Sequence, residues 1–290
     1  MPNSCPASLE QIYGVLGHPV AQSMSPMLHT WAFAQKGVRG LYTAWDTPPG
    51  ELAAFMRAFR ETPYDGASVT IPHKEAVIPF LDGLTATAQT IGAVNTLFWE
   101  KDRLMGHNTD MEGFLSPLSG LAAPGTALVL GAGGAARAVL AAFASLTVPR
   151  VTIAARGQAK AEKLAADFAA SFAAITVCSW EDRLTTTPED GRDFWVVNTT
   201  PLGMHGKAEG ESPLPEAWFA ALPPERCLAY DLVYNPLETA FLTLAKNAGW
   251  RRRDGLDMFV AQAAAQFRLW TGLGMPEPQA RLLLANYLAA

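Results

Sequence analysis

An α/β fold in two units is what this 290-residue sequence predicts, and three observations carry that expectation. Short β-branched runs alternate with stretches of helical spacing from Ile12 to Glu100. The pattern restarts at the apolar run Thr126-Ala127-Leu128-Val129-Leu130, which leads straight into a glycine-rich turn and an alanine-rich helix. Hydrophobic content of 49% against 17% charged residues supplies apolar material for two cores and excludes a disordered chain.

In the first unit, residues 12–16 form a β-branched run that stops at Gly17 and read as a strand. Ser25-Pro26 reads as a helix start, with serine at the N-cap and proline in the first turn, and Gly37 as its stop. A second strand is expected over 41–45. Leu52, Phe55, Met56 and Phe59 then recur at helical spacing through 51–60. Residues 67–71 make a third strand closed by Pro72. The runs 93–100 and 103–106 form a hairpin around Lys101-Asp102.

In the second unit, strands are expected over 126–130, 150–155, 175–178, 194–197 and 227–232, with helices to about Ser145 and over 159–170 and 237–248. The tail is helical over 258–270 and 278–288, while 185–191 and 206–215 are polar loops.

A net charge of −5, with Arg251-Arg252-Arg253 as the only basic cluster, argues against a nucleic-acid partner. Cys5, Cys178 and Cys227 form no paired framework, which points to a reduced, cytoplasmic setting. The N-terminus has no basic region followed by an apolar stretch, so no signal peptide is expected. Residues 135–147 are too short to span a membrane and contain Arg137. The five histidines lack metal-ligand spacing, and no metal is expected.

Strand, glycine turn and helix together form a dinucleotide-binding fingerprint. Gly131 permits the turn, Gly133 and Gly134 let backbone approach a pyrophosphate, and Ala136 stands at the close-packing position. The next strand ends in Ala154-Ala155-Arg156, with no acidic residue to accept from a ribose hydroxyl. Arg156 and Lys160, one helical turn on, suit a 2′-phosphate instead, which favours NADP over NAD.

Three segments place polar groups just after short apolar runs: Ala67-Ser68-Val69-Thr70-Ile71-Pro72-His73-Lys74, Gly92-Ala93-Val94-Asn95-Thr96 and Gly106-His107-Asn108-Thr109-Asp110. If Lys74 meets Asp110, the carboxylate holds the ammonium charged. The ammonium can then protonate a carbonyl oxygen and stabilise a developing alkoxide as hydride arrives. Ser23 and Ser25, flanking Met24 at a helix start, make a compact site for a carboxylate. Asn95, Thr70 and Asp110 could hydrogen-bond hydroxyls of a small polyhydroxylated substrate.

These motifs, in this order, make the chain resemble the shikimate dehydrogenase family. The match begins with Gly17-His18-Pro19-Val20-Ala21-Gln22-Ser23-Met24-Ser25-Pro26 and takes in Val69-Thr70-Ile71-Pro72-His73-Lys74, Gly92-Ala93-Val94-Asn95-Thr96, Asn108-Thr109-Asp110 and residues 131–137. It continues through Asn198-Thr199-Thr200-Pro201-Leu202-Gly203-Met204, Tyr230-Asp231-Leu232-Val233-Tyr234-Asn235-Pro236 and residues 254–263. The resemblance implies NADP-dependent, reversible reduction of 3-dehydroshikimate to shikimate, on the path to aromatic amino acids. It implies Lys74 and Asp110 as the catalytic pair. Substrate contacts fall to Ser23, Ser25, Thr70, Asn95, Asp110, Tyr234 and Gln262. Cofactor contacts fall to Gly131, Ala132, Gly133, Gly134, Ala135, Arg156, Lys160, Leu232 and Gly255. It further implies a substrate-binding domain of residues 1–109 and 255–290, to which the C-terminal helices return, and a Rossmann-type domain of 110–254. The protein would be a monomer or homodimer without a membrane partner.

The sequence departs from the family pattern at three places. Gln22 stands for histidine, Ser68 for asparagine, and Ala155-Arg156-Gly157 for Asn-Arg-Thr or Asn-Arg-Ser. Two alternatives stand beside this expectation: a quinate/shikimate dehydrogenase with broader substrate or NAD use, and a catalytically silent NADP-binding regulatory protein, against which the presence of both Lys74 and Asp110 argues.

Overall fold

A computed structural model describes residues 11–188 and 191–289 of the protein. Cys5, the N-terminal segment read for a signal peptide and part of the 185–191 loop lie outside the described residues. The chain divides into one unit of Met1–Thr109 with Ala263–Ala280 and another of Asp110–Gln262 with Arg281–Ala290.

The first unit runs β1 (Gln11–Gly17), α1 (Ser25–Lys36), β2 (Gly40–Asp46), α2 (Leu52–Glu61), β3 (Gly66–Val69), α3 (His73–Ala76), β4 (Gly83–Leu84), α4 (Ala86–Ile91), β5 (Thr96–Glu100) and β6 (Arg103–His107). Its sheet has the order β2-β1-β3-β5-β6-β4. β1 pairs parallel with both β2 and β3, whereas β5 pairs antiparallel with β3 and β6. On one face α2 buries Leu52, Met56 and Phe59, at helical spacing, against Leu16, Ala67, Val69 and Leu97. On Tyr13 and Phe33 lie Trp270, stacked on Tyr13 at 4.9 Å between centroids, and Phe267, 5.6 Å from Phe33.

Three expectations for this unit are corrected. Ser25 is the first helical residue and Met24 occupies the N-cap, because Ser23 Oγ accepts the Ser25 N–H at 3.3 Å and replaces the expected cap. The third strand ends at Val69: the Thr70 N–H still donates to Leu16 O at 2.9 Å, but the Thr70 carbonyl turns to accept from His73. The hairpin's first strand begins at Thr96, with Ala93, Val94 and Asn95 forming the bend that leads into it.

The second unit runs α5 (Asp110–Leu115), β7 (Thr126–Leu130), α6 (Gly134–Ser145), β8 (Arg150–Ala154), α7 (Gln158–Asp167), β9 (Ala174–Cys178), β10 (Phe194–Asn198), α8 (Glu216–Ala220), β11 (Cys227–Asp231), α9 (Ala240–Asn247) and β12 (Arg251–Arg253). Helix α10 (Gly255–Thr271) follows, its residues past Gln262 counted with the first unit, and α11 (Glu277–Leu288) ends the chain. The sheet is parallel throughout in the order β12-β11-β10-β7-β8-β9. This is the doubly wound arrangement in which strand order reverses beside the first strand, here between β7 and β10. The fully buried strands β7, β10 and β11 are apolar except for one terminal residue each, Thr126, Asn198 and Asp231, as suits a sheet covered on both faces.

Candidate active site

In the first unit, backbone pairing gathers the predicted residues at one end of the sheet. Thr70 leaves β3 anchored to Leu16, the last-but-one residue of β1, and its carbonyl accepts the His73 N–H at 2.9 Å. Lys74 is the second residue of α3, and its carbonyl accepts the Val94 N–H at 2.7 Å, next to Asn95. Asn95 accepts the Val69 N–H at 2.7 Å on its carbonyl and donates its own N–H to His107 O at 3.0 Å. The loop that carries Ser23 and Ser25 leaves the same end of β1, where the His18 N–H donates to Ile71 O at 2.9 Å. Thr70, Lys74, Asn95, Ser23 and Ser25 are thus brought together. Thr70, Lys74 and Ser23 are half-buried, while Ser25 and Asn95 are buried. Behind Ser25, burial pushes the Tyr42 hydroxyl well above the usual phenol range, against the pull of hydrogen bonds with Ser68 and Ser25.

In the second unit, Asp110 opens α5 and is 4% exposed. Gly113, one turn on, touches α10: a Cβ there would lie 2.8 Å from both Gln262 Cβ and Met258 O. Only glycine permits that approach, which sets the helix of Asp110 beside Gln262. Gln262 Nε2 donates to Phe259 O at 2.8 Å, and the Phe259 ring stacks on Tyr234 at 4.4 Å between centroids. Asp110, Gln262 and Tyr234 therefore share one neighbourhood. Lys74 belongs to the first unit and Asp110 to the second.

The glycine turn sits where the sheet's strand order reverses. Gly131 has φ of 110°, and a Cβ on it would lie 2.5 Å from Thr199 Oγ1. Thr199, after β10, is held by its own Oγ1 donating to Leu130 O at 2.7 Å. Gly133 caps α6 with no side-chain hydrogen bond, so the first-turn N–H groups of that helix have no capping side chain. Backbone N–H groups at a helix N-terminus, beside a turn only glycine can make, suit a pyrophosphate. Ala132, Gly133, Gly134 and Ala135 line this turn, half-buried, and Arg156 and Lys160 are exposed after β8. Leu232 donates to Asn198 O at 3.0 Å and Gly255 donates to Val233 O at 3.3 Å, which keeps those two residues adjacent. The residues present fit a phosphorylated dinucleotide. Among the described residues no cluster of three His, Cys, Asp or Glu side chains could hold a metal ion, and no helix is long and apolar enough to cross a membrane.

Two groups of residues escaped the sequence reading. Asp231 is fully buried and accepts from Asn198 Nδ2 at 2.9 Å, Val233 N–H at 3.0 Å and Thr239 Oγ1 at 2.7 Å. Burial raises its carboxyl to about 7 in spite of those donors. Gln266, also buried, joins Ser68 to Asn95. The available signal was a polar residue one helical turn beyond Gln262, on an otherwise apolar stretch.

The family model for the shikimate dehydrogenase substrate-binding domain matches residues 15–97, and that for the shikimate 5′-dehydrogenase C-terminal domain matches residues 255–281. A shikimate dehydrogenase (NADP+) of Oleidesulfovibrio alaskensis is 48% identical over 97% of this chain and 96% of its own length. Another, of Maridesulfovibrio salexigens, is 41% identical over 96% of this chain and 98% of its own. The crystal structure of shikimate 5-dehydrogenase from Thermus thermophilus, in complex with NADP(H) and shikimate, superposes with a TM-score of 0.79 at 38% identity, covering 96% of this chain and 99% of that one.

Proposed function

The chain belongs to the shikimate dehydrogenase family, and from that membership we propose that it is an NADP-dependent shikimate dehydrogenase, catalysing the reversible reduction of 3-dehydroshikimate to shikimate in aromatic amino acid biosynthesis. The observation that carries the proposal is the gathering of Lys74, Thr70, Asn95, Ser23 and Ser25 at one end of a single sheet. That arrangement combines an ammonium group with donors for a carboxylate and for ring hydroxyls.

NADPH, when bound, supplies the hydride. The turn Gly131, Ala132, Gly133, Gly134 and Ala135 would hold its pyrophosphate, Arg156 and Lys160 its 2′-phosphate, and Leu232 and Gly255 would lie along it. Lys74 donates a proton to the substrate carbonyl oxygen as the carbon is reduced, and Asp110 keeps the ammonium charged until then. In the reverse direction Lys74 must first lose its proton before taking one from the hydroxyl. Ser23 and Ser25 receive the substrate carboxylate, and Thr70, Asn95, Asp110, Tyr234 and Gln262 its hydroxyls. The same proposal gives substrate to residues 1–109 and 255–290 and cofactor to 110–254. It places the enzyme in the cytoplasm, as a monomer or homodimer.

The test follows NADPH absorbance with shikimate and quinate, each against NADP and NAD. Fastest turnover is expected for shikimate with NADP. Comparable turnover of quinate would make the enzyme a broader quinate/shikimate dehydrogenase, and no turnover with either acid would overturn the proposal.

A further inference from the structure

Gln266 is 1% exposed and uses both ends of its amide. Its Nε2 donates to Asn95 O at 2.9 Å and to Thr96 Oγ1 at 3.0 Å. Its Oε1 accepts from Ser68 Oγ at 2.7 Å, and Ser68 Oγ in turn accepts from the Tyr42 hydroxyl at 2.6 Å. His29, fully buried and held neutral by burial that lowers it to about 3, lies flat on Tyr42 at 4.4 Å between centroids. All of these residues belong to the first unit.

The directions in this chain are forced. A backbone carbonyl can only accept, so the amino end of Gln266 must face Asn95 O. Its carbonyl end then faces Ser68, which must donate, so Tyr42 donates to Ser68. On the other side Thr96, having accepted from Gln266, donates to Asn95 Oδ1 at 2.7 Å. The Thr109 N–H donates to that same oxygen at 2.9 Å. Two donors therefore hold Asn95 Oδ1, which leaves the amino group as the donating end, and one of its N–H groups goes to Thr109 Oγ1 at 2.9 Å.

We propose that Gln266 is a positioning residue for substrate binding: it sets the direction of a buried hydrogen-bond chain so that Asn95 presents its amino group, a donor, to a substrate hydroxyl. The proposal rests on the assignment of Asn95 to substrate made above. Ser68 gives it a reason in the sequence. The family pattern has an asparagine at that position. A serine is too short to carry an amide to the start of β5, and here α10 delivers one from the opposite end of the chain. An amide suits this place because it accepts from Ser68 at one end and has two N–H groups at the other, one for Asn95 O and one for Thr96 Oγ1.

Steady-state kinetics on the full-length protein test this. Gln266→Glu keeps the shape, but toward high pH, where the buried carboxyl ionises, it only accepts, so the Thr96 hydroxyl turns toward it and Asn95 Oδ1 loses a donor. The shikimate KM is expected to rise ~10-fold, the usual scale of one lost hydrogen bond, while the NADP KM stays within about twofold. Gln266→Ala should do the same, and adding Ser68→Asn to it should bring the shikimate KM back toward the wild-type value. Should both substitutions at 266 unfold the protein, Thr96→Val removes the same donor without touching α10 and should raise the shikimate KM alone. A shikimate KM unchanged in folded Gln266→Ala, or unchanged in Thr96→Val, would overturn the proposal, as would parallel rises in both KM values. Wild-type protein inactive on shikimate would instead overturn the functional assignment.

Discussion

Lys74 carries the largest single expectation. Lys74→Ala should lower turnover by at least ~100-fold, the scale of a lost general acid, with shikimate binding retained by calorimetry; near-normal turnover would remove it from the chemistry. Arg156→Ala should weaken NADP far more than NAD, because only NADP carries the 2′-phosphate. Equal losses with the two cofactors would place that phosphate elsewhere. Both residues were legible in the sequence because each comes soon after an apolar run, Arg156 just past β8 and Lys74 at the start of α3 beyond β3, and a strand end fixes where the chain emerges. Gln266 and Asp231 were not. Gln266 acquires its role only by meeting Asn95 across 171 residues of chain. Asp231 lies inside a motif, but its burial and its three donors come from β10, its own exit loop and the cap of α9. No local pattern announces Asn95 as partner to Gln266, or Asn198 as partner to Asp231.

Among the elements, the turn between β7 and α6 has least tolerance. Gly131→Ala forces a side chain into φ of 110° and against Thr199. It should cost about 1–3 kcal/mol in stability and raise the NADP KM, read by chemical denaturation and by kinetics; an unchanged KM would detach this turn from cofactor binding. The strand–turn–helix sequence here was plain from its apolar run and glycines, as was α2 from its helical spacing. Shorter elements were invisible for physical reasons. Helix α4 has six residues, too few to show a periodicity, although Thr85 accepting from the Ala88 N–H and Gly92 at φ of 68° bracket it. Strand β12 is made of Arg251, Arg252 and Arg253, which read as a solvated cluster. Parallel pairing with β11 overrides that composition, and the side chains find Asp193, Glu238 and the Pro117 carbonyl.

Stability of the molecule should carry the signature of Asp231. Its folded value near 7 stands above the ordinary 3.8 of the unfolded chain. Between those values the native state holds a proton that the unfolded state has released, so its contribution is fully present below about pH 4 and is lost as pH rises toward 7. Thermal midpoints should accordingly fall across that interval, and Asp231→Asn should flatten the slope; an identical profile in the variant would assign the dependence to other groups. The two sheets differ in how chain order serves them. Strands β7 to β12 are contiguous, so everything the second sheet needs arrives together. The first sheet waits: Phe267 and Trp270, which cover Phe33 and Tyr13, follow in the sequence only after the whole of the second sheet. During synthesis, β1 to β6 emerge with one aromatic face uncovered until α10 follows, and a chain cut before residue 263 leaves that face bare, a target for chaperones and proteases.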